Sequence, residues 1–465
     1  MRRHFLLVFY CASFFVLSAC ASYQAKPLNH EASLKTNIAD LRVDVKSLDF
    51  PELASYRLDI DGELDMTGLA ILAVLNNPDL KVARDDAGIA HAQAFSAGLL
   101  PDPQLSLSTD LSNSSGANGS KAFSYGISFD VGALWLRSAL LPAADAEAQK
   151  TDLNLLWQEW QVIAQTRLLY IKLIQNQKLV MLLNQHKQLL ADRLTRAQAG
   201  LTKALLVSDA VLSNLSALQD LQKQLHDVER LVSQTRHELN ALLGLKPDVN
   251  IRLRQDFAVP ALQDDQVLAA LANLAHRRAD IMALEAAYQA QDQRYRAAVL
   301  AQFPSLNVGL THAGDSSGVY SNGVGLTLSL PILNRNRGNI AIEKTTRQKL
   351  YDDYQQRLNI AHSDIHKILA DQRIGRLQLQ EIQTGLAQLT SAVRQMEIAF
   401  RHKNVDTFAY VNVMSALLAK QIEEINLQQM MLEQRVALQT LIGGDLPVVT
   451  PNINSNLTSN GSQLP

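Results

Sequence analysis

The chain has 465 residues, with 43 Lys+Arg against 45 Asp+Glu and a formal charge of −2. That balance excludes the basic footprint of a nucleic-acid binder, and two cysteines are too few for a disulfide framework or a four-thiolate zinc site. Thirteen prolines and 21 glycines are few for this length and point to long helices. Past the N-terminus no run of about 20 apolar residues marks a transmembrane helix, a test that a β-barrel escapes because its signal is alternation.

The first element is an address. Arg2 and Arg3 precede the apolar stretch Phe5 to Leu17, which ends in Leu17-Ser18-Ala19-Cys20. A basic start, a short apolar core and small residues before the cut make a secretory signal. The cysteine resembles that of bacterial lipoprotein signals. The resemblance implies a signal peptide over 1–19, loss of Cys11 with it, and acyl chains on Cys20; an ordinary signal peptide is the plainer alternative. Acyl chains anchor a protein to a membrane without spanning it. Ala21 after the cysteine implies the outer membrane. Residues 20–65 then form a lipidated extension, read as an extended lead from the anchor toward the strands.

Two strand pairs follow, one in each half of the chain. Leu105 and Leu107 alternate with Gln104, Ser106 and Ser108. Phe123, Tyr125, Ile127, Phe129 and Val131 alternate with Ser124, Gly126, Ser128 and Asp130. In the second pair Leu306, Val308 and Leu310 alternate with Asn307, Gly309 and Thr311, and Val324, Leu326, Leu328 and Leu330 with Gly325, Thr327 and Ser329. Polar, glycine-rich connections are expected over Asn113–Ser120 and Ala313–Gly323. A period of two with one apolar face fits either a soluble sandwich or a membrane barrel. Small polar residues on the second face, together with the signal, favour a wet lumen. Four strands cannot close a barrel alone, and open edges are not tolerated in hydrocarbon. Several chains must then share one barrel, and three would supply twelve strands.

Each strand pair leads into a helix longer than a domain needs. From about Ala143 to Ala199 there is neither Pro nor Gly, and from about Ile340 to Lys403 only Gly375 and Gly385 interrupt. Sixty helical residues rise roughly 90 Å. The first returning helix carries a heptad seam: Val207, Val211, Asn214, Leu218, Leu221, Leu225, Val228, Val232, Thr235, Leu239 and Leu242. Steps of four and three specify coiled-coil packing.

The halves match each other. Pro78-Asp79-Leu80 through Leu107 recurs 201 residues later as Ala279-Asp280-Ile281 through Val308, and Leu242-Leu243-Gly244 matches Leu441-Ile442-Gly443. An internal duplication is therefore expected, with repeats over 66–244 and 265–443, a linker over 245–264 and a disordered tail over 444–465.

With these features in order, the chain resembles the TolC family of outer-membrane factors. The resemblance rests on Asn77-Pro78-Asp79-Leu80 and Arg278-Ala279-Asp280-Ile281, on Leu330-Pro331-Ile332-Leu333-Asn334 with Arg335 to Gly338, and on the tip-like Gln198-Ala199-Gly200-Leu201. It implies an α+β membrane protein: a trimeric twelve-stranded transmembrane β-barrel, four strands per chain, continued by a long α-helical coiled-coil tunnel in the periplasm. It also implies a passive exit duct of a tripartite efflux system for drugs, metal ions or other small molecules. The partners would be a periplasmic adaptor, or membrane fusion protein, an inner-membrane pump of the RND type and outer-membrane lipid. No cofactor is implied beyond the lipid on Cys20. A type I secretion duct and a lipidated coiled-coil adaptor are the alternatives. The adaptor-contact tips would be Gly200, Leu201, Thr202, Asn404, Val405 and Asp406, with Asn404 standing for a tip glycine in a left-handed turn. The periplasmic constriction would involve Asp209 and Asn412, with Leu206 and Asn412 leaving it less acidic than is usual in the family.

No constellation for catalysis is present, so no enzyme is expected. His362 and His366 sit four apart with Asp364 between them, a spacing that can bind metal, but no third ligand accompanies them and a solvated or tunnel-lining face is the reading. Arg193, Arg196 and Arg401-His402-Lys403 flank the tips, either complementing helix dipoles or docking a partner. Trp135 suits a membrane interface or packing. The anchor has a direct test. Palmitate fed to cells should label the natural chain and leave Cys20→Ser unlabelled; label on the variant would refute acylation at Cys20.

Overall fold

The computed structural model describes residues 23–43, 56, 58–110, 121–203, 208–315, 317–402 and 404–443. The signal, Cys20, most of the first strand connection, Leu206 and the tail 444–465 lie outside the described residues. The chain divides into two units, 1–35 and 36–465. In the first, residues 23–34 carry neither helix nor strand and are exposed.

The second unit runs α1 (Met66–Asn76), α2 (Pro78–Gly98), β1 (Gln104–Asp110), β2 (Ala122–Asp130), α3 (Val131–Thr202), α4 (Ser208–Leu242), α5 (Asp264–Ala272), α6 (Ala279–Leu300), β3 (Ser305–Gly314), β4 (Tyr320–Ser329), α7 (Arg337–Arg401) and α8 (Thr407–Ile442). Local chemistry sets these boundaries. Asp65 accepts from Gly68 N at 2.8 Å and starts α1. Asn77 ends α1 and starts α2, accepting from Leu80 N at 2.9 Å, because Pro78 has no N–H to continue the first helix but suits the first turn of the second. Asp130 and Asp406 cap α3 and α8 in the same way.

The two long helices exceed expectation. α3 has 72 residues and α7 has 65, about 108 and 98 Å of rise. Helix α3 begins directly at the end of β2 and absorbs Pro142, whose missing N–H removes one helical bond. The second strand connection is shorter than expected. β3 and β4 pair through His312↔Asn322 to Gly314↔Tyr320. Asp315 Oδ1 closes the turn, accepting from Ser317 N at 2.8 Å and Val319 N at 2.9 Å.

The strands form one antiparallel sheet in the order β1-β2-β3-β4. The core sits in a belt where the returning helices end. Leu41, Leu69, Leu72, Tyr170, Ile174, Leu239 and Leu243 form one cluster there, and Val267, Ile281, Ile365, Leu438 and Ile442 another. Tyr170 is fully buried and donates to Arg254 O at 2.5 Å; burial pushes its phenol up to about 12. Among the described residues the lead meets this belt at Leu41 and Arg42. Arg42 N donates to Asn76 Oδ1 at 2.7 Å, Asn76 Nδ2 returns a bond to Arg42 O at 3.0 Å, and Leu41 is buried. The apolar Leu41 and the Asn76 amide explain why the lead docks there.

Two junctions close the belt alike. Asn77 Nδ2 donates to Leu242 O at 2.9 Å, and Arg277 Nε to Ile442 O at 3.1 Å. Each is followed by a left-handed glycine, Gly244 and Gly443. At Gly443 a Cβ would stand 2.8 Å from Arg277 O, so the close approach needs glycine.

The expected seam on α4 is inside. Leu218, Leu221, Leu225 and Leu239 are buried, with the polar members Asn214 and Thr235 beside them; Thr235 Oγ1 bonds back to Leu231 O at 2.7 Å.

Candidate functional site: the sheet faces and the hairpin tips

The register assembles the alternating residues of all four strands into two uniform faces. Leu105↔Ile127, Ile127↔Leu310 and Leu310↔Val324 lie in one row, and Phe129↔Val308 and Val308↔Leu326 in the next. This face is bare: Leu107 is 75% exposed, Val324 73% and Leu326 66%. The other face carries Ser106↔Gly126, Gly126↔Thr311 and Thr311↔Gly323 in one row. It is crowded, because a Cβ on Gly126 would stand 3.0 Å from Leu310 O and from Thr311 Cγ2. An apolar face turned outward over a tight face of small polar residues is the reverse of a soluble sandwich, whose apolar face is covered.

Rings gather at both ends of the bare face. At the turn end Tyr125 lies 4.9 Å from His312, His312 6.0 Å from Tyr320, and His312 Nδ1 meets Asn322 Oδ1 at 2.6 Å. At the helix end Trp135 stacks on Phe303 at 6.4 Å and is 63% exposed. Nine residues of β2 at about 3.3 Å, tilted by about 40°, rise about 23 Å, close to the roughly 25 Å apolar band of a membrane barrel.

At the opposite end of the long helices the tips differ from the sequence reading. Gly200 lies within α3, which continues through Leu201 to Thr202, so the first break falls beyond the expected turn. Bonds across the last turn explain this: the Thr202 hydroxyl donates to Gln198 O at 2.9 Å, and Lys203 N to Ala199 O at 3.3 Å. Asn404 is not left-handed either; Arg335 and Asn336 are the non-glycine residues with positive φ among those described. Asn404 N instead bonds Ala399 O at 2.9 Å and closes the end of α7. Asp406 is occupied in capping α8, through Ala409 N at 2.6 Å.

The structure brings Gly200, Asp209, Val405 and Asp406 together around one open pocket of about 1420 Å³. Leu201, Thr202 and Asn404 are exposed beside it. Asn412 is exposed on the adjoining groove between α4 and α8, and the two hollows share Leu212, Ser213 and Phe408. His362 and His366 are exposed on α7, and among the described residues no group of three or more His, Cys, Asp or Glu could hold a metal ion.

The contacts that join the two hairpins were not visible in the sequence. Arg193 on α3 places its guanidinium 3.8 Å from the centre of the buried Tyr410 ring and 5.5 Å from that of Phe400. It therefore serves the hairpin contact, whereas Arg196 and Arg401 pair with Asp192 and Glu397 one turn back. Burial pushes the Tyr410 phenol up, against the pull of Arg193. Seven residues along α3, His186 is buried and its Nε2 meets Gln421 Oε1 on α8 at 3.2 Å. Arg193 and Tyr410 stand 217 positions apart, too far for any local pattern to link them.

Charge pairs divide along the molecule's length. Between the sheet and the belt four of them join different helices, Arg84–Glu159, His91–Asp152, Arg294–Glu147 and Arg347–Asp292 at 2.7–3.1 Å, beside the intrahelical pairs Lys150–Glu147 and Lys349–Asp353. Toward the tips the described pairs, Arg196–Asp192, His226–Glu229, Arg230–Asp227, Arg401–Glu397 and Lys420–Glu423, each stay within one helix. Exposed pairs add little stability, so the contrast matters for geometry. The upper helices are cross-linked, and the tips are held by the leucine seam, Arg193 and His186.

Comparisons with known proteins agree with this architecture. The sequence profile of the family described as outer membrane efflux protein matches residues 270–444. The cation efflux system protein CusC of Escherichia coli K12 is 26% identical over 229 residues, which are 46% of this chain and 49% of that protein. The chain thus spans about half the length of the curated relatives it matches. The crystal structure of CusC superposes with a TM-score of 0.69 at 18% identity, over 92% of this chain and 99% of that one. The outer-membrane channel OprN superposes with 0.70 at 16% identity, over 91% and 99%.

The buried histidine gives a pH prediction. Burial holds its pKa below the ordinary 6.5, with the Gln421 bond opposing in part. A histidine whose folded pKa is depressed takes up more protons when its surroundings open. Its contribution to closed packing is whole above about pH 6.5 and falls as pH drops below it. Hydrogen exchange at the tip amides of α3 and α8 should accelerate on acidification below about pH 6.5 in the natural chain and much less in His186→Leu. Equal acid response in both would show that His186 is not the sensor.

Proposed function

We propose that the chain is a member of the TolC family of outer-membrane factors, supported by the efflux-protein profile, the likeness to CusC and the shared fold, and that it is the exit duct of a tripartite efflux system. Three copies share a twelve-stranded barrel in the outer membrane, and their paired hairpins form the tunnel below it. Members of this family are channels and use no cofactor, and the chain is not an enzyme.

The bare apolar face of the four-stranded sheet carries this reading. Lipid covers such a face, and water in a lumen suits the serines, threonines and glycines behind it. The edges β1 and β4 are left for neighbouring copies. The matching junctions at Gly244 and Gly443 support the duplicated repeats 66–244 and 265–443 about the linker 245–264. Two hairpins and a sheet also favour a duct over a single-hairpin adaptor.

The lipid anchor fits the same arrangement. From the start of α3 to Tyr170, beside which Leu41 packs, is about 58 Å of helix. The 21 residues from Cys20 to Leu41 reach at most about 70–75 Å when extended. A lead acylated at Cys20 is long enough to reach from the membrane to the belt. At the far end the adaptor docks on the exposed tip residues Leu201, Thr202 and Asn404. Asp209 and Asn412 stand nearest the closed constriction, and the Arg193–Tyr410 contact holds it shut. Substrates are drugs, metal ions or other small molecules, driven by the partner pump. The likeness to CusC, a cation efflux protein by name, favours metal ions among them.

The face assignment is open to test by charge. Leu326→Arg should cost roughly 2–4 kcal/mol per chain near the bilayer midplane and abolish membrane insertion and efflux. The neighbouring Thr327→Arg, on the lumen face, should insert normally and alter conductance. Membrane-fraction blots and an efflux assay read both, and equal loss of insertion would sink the reading.

A further inference from the structure

Where the strands hand over to the long helices, an apolar hollow of about 260 Å³ opens between Trp135, Leu136, Leu300, Phe303, Leu330 and Pro331. Leu330, Ile332 and Leu333 beside it are 61%, 70% and 88% exposed. The loop that carries them is braced. Arg335 N donates to Pro331 O at 3.0 Å, and Asn336 Nδ2 to Ala298 O at 2.8 Å, on the last turns of α6. Arg335 and Asn336 are both left-handed, with φ of 49° and 52°. Left-handed backbone at an arginine is disfavoured and persists where surroundings hold it, often at ligand sites.

The charges at this level differ in availability. Arg137 is spent on Gly98 O, to which both Nε and Nη2 donate. The Asp130 carboxylate caps α3. Arg335 and Arg337 are exposed, and among the described residues neither pairs with a carboxylate; Arg337 Nε reaches only Asn334 O, at 3.5 Å.

We propose that this junction is a binding site for an anionic phospholipid of the periplasmic leaflet, with an acyl chain in the Trp135–Phe303 hollow and the phosphate on Arg335 and Arg337. It rests on the reading of the sheet as membrane-embedded. Two observations select this occupant. Leu330 continues the alternation of Val324, Leu326 and Leu328, so the lipid-facing stripe runs directly into the hollow. Two guanidiniums without carboxylate partners, on a braced loop at the rim of an apolar hollow, match an amphiphile whose anion adjoins its chains. The same site would fix the depth at which the barrel sits, since Trp and Arg favour the interface.

Bromine on a lipid chain quenches tryptophan fluorescence at contact, which gives a direct probe. Trp157 and Trp160 lie 22 and 25 residues further along α3, about 33–38 Å away, so Trp135→Phe isolates the Trp135 signal by difference. The full chain is reconstituted in phosphatidylcholine vesicles containing either chain-brominated phosphatidylglycerol or chain-brominated phosphatidylcholine. Leu326→Trp serves as a reporter of the barrel surface.

Trp135 should be quenched at a lower mole fraction of phosphatidylglycerol than of phosphatidylcholine, by about fivefold per arginine. Arg335→Gln combined with Arg337→Gln should erase that preference and leave quenching of the tryptophan at position 326 unchanged. If that reporter is quenched while Trp135 is not, or if Trp135 responds equally to both lipids, the site is refuted and the barrel reading stands. If the reporter at 326 is itself unquenched, the membrane reading fails and takes this site with it.

Discussion

Unpaired backbone at two strand edges governs the rest of the molecule. β1 and β4 are the outer strands of the sheet, so each has one row of N–H and C=O groups with no strand partner among the described residues. In water such an edge is a liability to be managed. In hydrocarbon each unmade bond costs several kcal/mol, which no bare edge survives. On the proposed membrane reading, a chain that turns a leucine- and valine-rich face to lipid completes its sheet with other chains. On that reading the apolar stripe, the small residues behind it and the glycine at Gly126 all answer the same requirement of a curved, closed wall.

The helices are joined differently at their two ends. Near the sheet, arginines and acids on different helices pin one another, and the belt locks both returning helices through Asn77 and Arg277. Beyond the belt the described ion pairs stay within single helices, and the hairpins meet through leucines, one stacked arginine and one buried histidine. Apolar seams tolerate sliding better than directional charge pairs do. On the proposed duct reading, that division lets a closed tip open without disturbing the membrane wall.

Much of this was legible from the sequence because it is periodic. The strand alternation from Leu105 to Leu330 and the seam from Val211 to Leu242 each repeat a local rule, and local rules can be read without coordinates. Boundaries were less accessible. The long helix takes in Pro142 and Gly200 because packing along its length outweighs a single missing bond or a flexible residue. Asn404 is not left-handed, whereas Arg335 and Asn336, at the other end of α7, are, and a tertiary bond from Asn336 to Ala298 O holds them. Contacts between the hairpins, such as Arg193 with Tyr410 and His186 with Gln421, join distant parts of the chain and leave no spacing to detect.

The most direct test of the account is the number of chains in the membrane-extracted particle. Native mass spectrometry of the full protein, released from detergent micelles, should give three copies, each carrying four strands of one closed wall. A particle that remains monomeric in detergent, with its sheet edges free, would contradict the central claim.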